Sequence, residues 1–263
     1  MTADAPHAIR RILTISITLL LVPFIGSIVY FHMLPKAAPF IITSGIGLLL
    51  TGALLLRQTA VIHAALLTFL LAVWSIISNI AIWPSLIIPL LAYSGVVVLI
   101  PSLRKTVGWL RVGKFDRNIY LLMVTTVFVS SFALLLWFIL WKPDLTHFLR
   151  FIPDWSPSLL LFEGIGFALL NAAMEESIFR GVLMQALDET LGEGTPSVIL
   201  QAIAFGLLHI KGIPGDWIGV AMATVYGLML GIIRRRSQGI FAPYMTHVFA
   251  DAVIFVILVL LVR

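Results

Sequence analysis

Apolar stretches of about 20 residues recur along almost the whole chain, separated by short polar breaks. That is the length a helix needs to cross a hydrocarbon core at ~1.5 Å of rise per residue. The pattern predicts spans over 11–33, 38–56, 60–82, 84–100, 118–141, 158–187, 196–210, 216–233 and 239–262, or eight or nine helices. Backbone groups in lipid must be satisfied within their own segment, and these runs are too long and too uniformly apolar for barrel strands. The expected fold class is therefore all-α, a polytopic transmembrane helical bundle. The first run carries the basic flank of a signal peptide in Arg10-Arg11, yet it is too long and lacks a small-residue cleavage site, so it reads as a retained first helix.

Composition excludes several classes. Of 263 residues 60% are hydrophobic and 11% charged, which no water-soluble domain of this size matches. The absence of cysteine removes disulfides, thiolate catalysis and thiolate metal sites. The net charge of +5 sits between spans rather than on a basic and aromatic surface, which argues against nucleic acid and for topology signals. Counted alternately, the spans place Arg10-Arg11, Arg57, the segment Arg104 to Arg117 and Arg234-Arg235-Arg236 on one side. By the positive-inside rule that side is cytoplasmic, with the N-terminus, in a bacterial or archaeal cytoplasmic membrane. A substrate cavity is expected to open toward it. Trp141, Phe151 and Trp155 suit the interface belt on the other side. The longest polar break, Pro101 to Asn118, separates residues 1–117, membrane helices of unassigned role, from residues 118–263, a C-terminal core whose motif-bearing part is 158–255.

Ionisable groups at membrane depth cost on the order of 3 kcal/mol or more, so each is a candidate functional residue that needs a partner. In the first part, His63 and Asn79 read as snorkelling or helix-contact residues. The second part differs. Glu175 and Glu176 lie in a segment of Leu, Ala, Phe and Gly, and Arg180 is four residues after Glu176, acid first, the order that favours an ion pair. Glu175 is rotated by about 100° from Glu176 and projects unpaired, which makes it the candidate reactive group. His209 closes the seventh span with Phe205 one turn earlier on the same face, and His247 and Asp251 share a face of the ninth. From the expected cytoplasmic helix ends, Glu175, His209 and His247 lie roughly 18, 20 and 12 Å inward, close enough to meet once helices tilt. Gly164, Gly166, Gly181 and Gly206 are candidate points of close helix approach.

The order Glu-Glu-x-x-x-Arg at 175–180, Phe-x-x-x-His at 205–209 and His-x-x-x-Asp at 247–251 resembles the CAAX-protease and bacteriocin-processing family of intramembrane endopeptidases. That family includes the Ras-converting-enzyme type of prenyl-protein protease. The resemblance implies hydrolysis of a peptide bond in a membrane-associated protein or peptide, with Glu175 and His209 activating a water. His247 would stabilise the tetrahedral intermediate with Asp251 as its orienter, and Glu176, Arg180 and Phe205 would lend structural support. Where many relatives carry Asn, this chain has Asp251, and an ionised carboxylate cannot donate to an oxyanion. Either His247 donates alone, or Asp251 is protonated, or the cluster binds a divalent metal such as zinc at Glu175, His209 and His247. The soluble zinc-protease signature His-Glu-x-x-His is absent. Rival readings are a non-catalytic scaffold or immunity protein that binds a partner helix, and a proton-coupled transporter.

Overall fold

The computed structural model describes residues 5–78 and 85–262, so Asn79 lies outside the described residues. Among them every regular element is helical. They are α1 (Ala5–Ser27), α2 (Ala38–Leu56), α3 (Thr59–Ser78), α4 (Ile87–Leu99), α5 (Pro101–Arg104), α6 (Arg117–Trp141), α7 (Pro157–Glu176), α8 (Met184–Leu191), α9 (Thr195–Leu208), α10 (Asp216–Ser237) and α11 (Phe241–Ile257). Widened π turns over Ser177–Leu183 join α7 and α8 into one apolar rod, Pro157–Leu191. Seven described helices are long and apolar enough to cross a membrane, and the two shorter apolar helices Ile87–Leu99 and Thr195–Lys211 complete the predicted set. Large side chains such as Leu48, Leu99, Phe128 and Leu260 are exposed on the outer faces, as a lipid solvent demands. The protein is an integral multi-pass membrane protein with an all-α bundle.

One hydrophobic core crosses the polar break at 101–118. It joins Leu21 and Ile25 of α1 and Leu67 of α3 to Ile178, Leu183, Ala204 and Phe205 of the second part. Small residues set the spacing. A Cβ on Gly26 would lie 2.5 Å from the carbonyl oxygen of Ala204, so α1 rests backbone to backbone on α9. Gly164 receives the Phe255 ring, Gly181 the Trp109 indole and Gly206 the Thr224 side chain, as expected of close-approach positions. Gly166 has nothing within reach of a Cβ and makes no such contact.

The break itself is tied down at the end where the basic residues gather. Gln185 on α8 donates to Thr106 O at 2.8 Å and accepts from Gly108 N at 3.1 Å. Further along, Lys114 N donates to Ser237 O at 2.7 Å and Ile240 N to Arg111 O at 2.8 Å. Gly113, at a φ of 86°, abuts Gly239 so closely that no side chain fits between them. The segment therefore lies across the basic ends of α8, α10 and α11.

α9 is short because it stops inside the bundle, leaving carbonyls that need partners. Tyr30, in the helical turn after α1, meets that need: its hydroxyl lies 3.0 Å from Leu207 O and 2.5 Å from Leu208 O. A single 3-10 turn, His209–Lys211, follows, and the chain returns through Gly212 to Gly215 into α10. The void left above that early stop is where the polar groups gather.

Candidate active site

The segment that carries Glu175 and Glu176 ends α7 and enters the π turns, a geometry that often accompanies functional sites in helices. Glu176, 1% exposed, accepts from Arg180 Nη1 at 2.9 Å, the ion pair expected from the spacing. It does more than that. The same Oε1 accepts from His247 Nδ1 at 2.8 Å, across from α11. The sequence assigned the orienting of His247 to Asp251; in the structure the acceptor that holds the ring is Glu176, because Asp251 lies one turn along the same helix and reaches only the far ring nitrogen, Nε2, at 3.6 Å. Glu175 Oε2 also stands 3.6 Å from that Nε2. The imidazole is thus gripped at one nitrogen and faces two carboxylates with the other.

Arg180 is fully buried and is held by more than Glu176. Its Nη2 points to Gly227 O at 3.4 Å, and its guanidinium carbon sits 4.2 Å from the centroid of the Phe205 ring. Phe205 is the hub of the site. Its ring meets His209 at 4.7 Å, Phe179 at 5.3 Å and His247 at 5.8 Å between centroids, the latter two edge to face. His209 Nδ1 donates back to Phe205 O at 3.0 Å, because a carbonyl can only accept. This defines the tautomer and leaves Nε2 as the acceptor. Tyr226 of α10 closes the ring, edge-on to His247 at 5.6 Å.

Two cavities meet at these groups. The larger, about 750 Å³, is lined by Glu175, Asn171, His209 and Asp251 and by residues of the segment Trp137 to Ile152 and the turn Leu208 to Asp216. The smaller, about 320 Å³, is an apolar slot between α6, α10 and α11 that reaches Phe205, His209, Tyr226, His247 and Asp251 from the other side. His209, Ile213, Asp251 and Ile254 line both. The large chamber is rimmed by Tyr30, Met33 and Asp144 at the end of the bundle opposite the basic loops, which corrects the expectation of a cavity opening toward them. The early stop of α9 leaves space on that side, whereas residues 105–116 lie across the basic end.

All four candidate catalytic positions, Glu175, His209, His247 and Asp251, come together, with Glu176, Arg180 and Phe205 packed behind them. Among the described residues no three His, Asp or Glu side chains are grouped so as to hold a metal ion, so Glu175, His209 and His247 do not fit as a chelate in this arrangement. Three further residues escape the sequence reading. Asn171 donates from Nδ2 to Asp251 Oδ2 at 3.1 Å, and its place one turn before Glu175 was the available signal. Tyr226 is a polar ring in an apolar span. Glu163 is an ionisable residue inside the same helix as Glu175.

Residues 157–253 match the model of the Rce1-like family, described as type II CAAX prenyl endopeptidase Rce1-like. Over that segment the chain is similar to the CAAX proteases. No curated protein and no solved structure matches the chain. The matched segment begins at the first residue of α7 and ends two residues after Asp251, so it contains every group of the polar cluster. The match does not include α1–α6, whose contribution here is the packing that shapes the chamber and stops α9.

Proposed function

We propose that this chain is an intramembrane endopeptidase that hydrolyses a peptide bond in a membrane-associated protein or peptide. One observation carries the reading: on the wall of a chamber large enough for a peptide, beside His209, Glu175 has a buried carboxylate oxygen, Oε2, with no hydrogen-bond partner, 3.6 Å from the imidazole of His247, which lines the adjoining slot. A buried acceptor left unmade is costly, and a water that it can deprotonate is the natural partner.

In this scheme Glu175 takes a proton from a water that His209 positions through its free Nε2. The hydroxide adds to the scissile carbonyl carbon, and the carbonyl oxygen becomes an oxyanion that accepts from His247 Nε2–H. Glu175 then delivers the proton to the departing nitrogen as the C–N bond breaks. Glu176 and Arg180 act as positioning residues through His247 Nδ1, an arrangement that keeps the donor aimed without reorganisation during reaction. Asp251, its second oxygen held by Asn171, supports charge on the imidazole. The apolar slot suits an aliphatic side chain or hydrocarbon tail next to the bond, in keeping with a lipid-borne substrate of the kind the family name indicates.

The test compares new peptide termini in membranes of cells that express the native chain or Glu175→Gln at matched, folded levels. Termini present only with the native chain, beside membrane segments or at C-terminal tails, are the expected result. Identical termini in several hosts would move the reading to a non-catalytic scaffold.

A further inference from the structure

Glu163 sits in the second turn of α7, where a lipid-facing helix would normally carry an apolar residue. It is half-buried and lines the large chamber, and its Oε2 is shielded from solvent with no hydrogen-bond partner. Its place is set by the contact one residue on, where the Phe255 ring lies against Gly164 and closes α7 onto α11. Snorkelling would carry the carboxylate to water, yet one of its oxygens is sealed in the wall. The surroundings are unbalanced as well: five carboxylates, Glu163 among them, line the chamber against the two fixed cations Arg150 and Lys211.

We infer that Glu163 is a specificity-determining residue that receives a cationic side chain, lysine or arginine, of a substrate segment lying in the chamber. The inference rests on the endopeptidase reading in one respect, that this chamber is the substrate's path. Glu163 and Glu175 share one helix and are twelve residues apart, a rise of about 18 Å. An extended chain covers that distance in about five residues at ~3.3 Å each, so the cation belongs about five residues from the scissile bond. A charge-assisted contact at that depth favours a basic substrate and disfavours one that would leave Glu163 unpaired, so it selects as well as binds.

The test reads binding rather than hydrolysis. Purified protein in nanodiscs is titrated with two fluorescein-labelled apolar decapeptides that differ at one central position, lysine in one and norleucine in the other. The native chain is expected to hold the lysine peptide about tenfold more tightly, the scale of one charge-assisted hydrogen bond. Glu163→Gln should abolish that ratio, and Glu163→Lys should shift preference to a peptide with glutamate in the same place. Glu175→Gln, which removes a different chamber carboxylate, should retain the lysine preference. Equal affinity of the native chain for the two peptides, or a lysine preference that survives Glu163→Gln, overturns the inference. Because this measurement reads affinity and not new peptide termini, its failure is separable from a failure of the terminus comparison.

Discussion

Two buried histidines, one in each part of the chain, sit in very different company. His63 on α3 is 4% exposed and is bonded at both ring nitrogens: Nδ1 to the Tyr93 hydroxyl at 2.7 Å, Nε2 to the Thr106 hydroxyl at 3.0 Å and Leu103 O at 3.2 Å. His247 is as deeply buried, but only Nδ1 is bonded, and Nε2 looks across 3.6 Å gaps at two carboxylates. Around His63 the polar groups use one another up and pin α5 to α3 and α4. Around His247 the surplus is conspicuous, with Glu175 Oε2, Glu176 Oε2 and Arg180 Nε lacking a partner. The histidine alone is therefore a poor guide to function in a membrane helix. What separates a packing residue from a reactive one is whether its neighbourhood leaves acceptors and donors unspent beside a cavity.

The comparison can be broken most decisively at Glu175. Glu175→Gln keeps the size of the side chain and removes the base, so turnover should fall by about 10³-fold or more while the melting temperature in detergent stays near native. A retained rate would return the orphaned carboxylate to a structural role.

Arg180→Ala attacks the support instead. It takes the guanidinium from buried Glu176 and leaves it the His247 contact alone, a loss of about 3–5 kcal/mol, and should lower folded yield as well as activity. Thermal unfolding of the purified variant is the measurement, and native yield and activity would remove the ion pair from the account.

Asn171→Ala removes one hydrogen bond to Asp251 and should reduce turnover about tenfold with folding little changed, the value of a single bond to a charged acceptor. Asn171→Asp should be worse, because it sets two carboxylates face to face. Similar rates for the two variants would contradict the positioning role.

Tyr93→Phe is the control on the other side. It deletes one bond to His63 and should cost about 1 kcal/mol of stability with turnover unchanged, read from the melting temperature and from cleavage at saturating protein. A loss of activity beyond that of stability would erase the distinction between the two histidines.

Much of this was legible along the chain. Helix number, the positions of the spans and the Glu176–Arg180 pair follow from local rules, a 20-residue crossing length and an i, i+4 face, which need no knowledge of neighbours. The three motifs also announced which side chains would be expensive in lipid. Other features depend on residues far apart in sequence. Tyr30 caps the end of α9 from 177 residues away, and Glu176 rather than Asp251 bonds His247 because α7 and α11 pack so that Nδ1 points at the former.

The sequence by itself determined that this protein lives in the bilayer, that its helices carry acids and imidazoles on three separate spans, and that one buried pair neutralises itself. Tertiary structure alone decided which carboxylate grips His247, where α9 stops, and that the chamber lies at the end away from the basic loops. The physical reason is one of range. Hydrophobicity and helical periodicity act within a segment, whereas the partner of a buried polar group and the shape of a cavity are set by how segments touch.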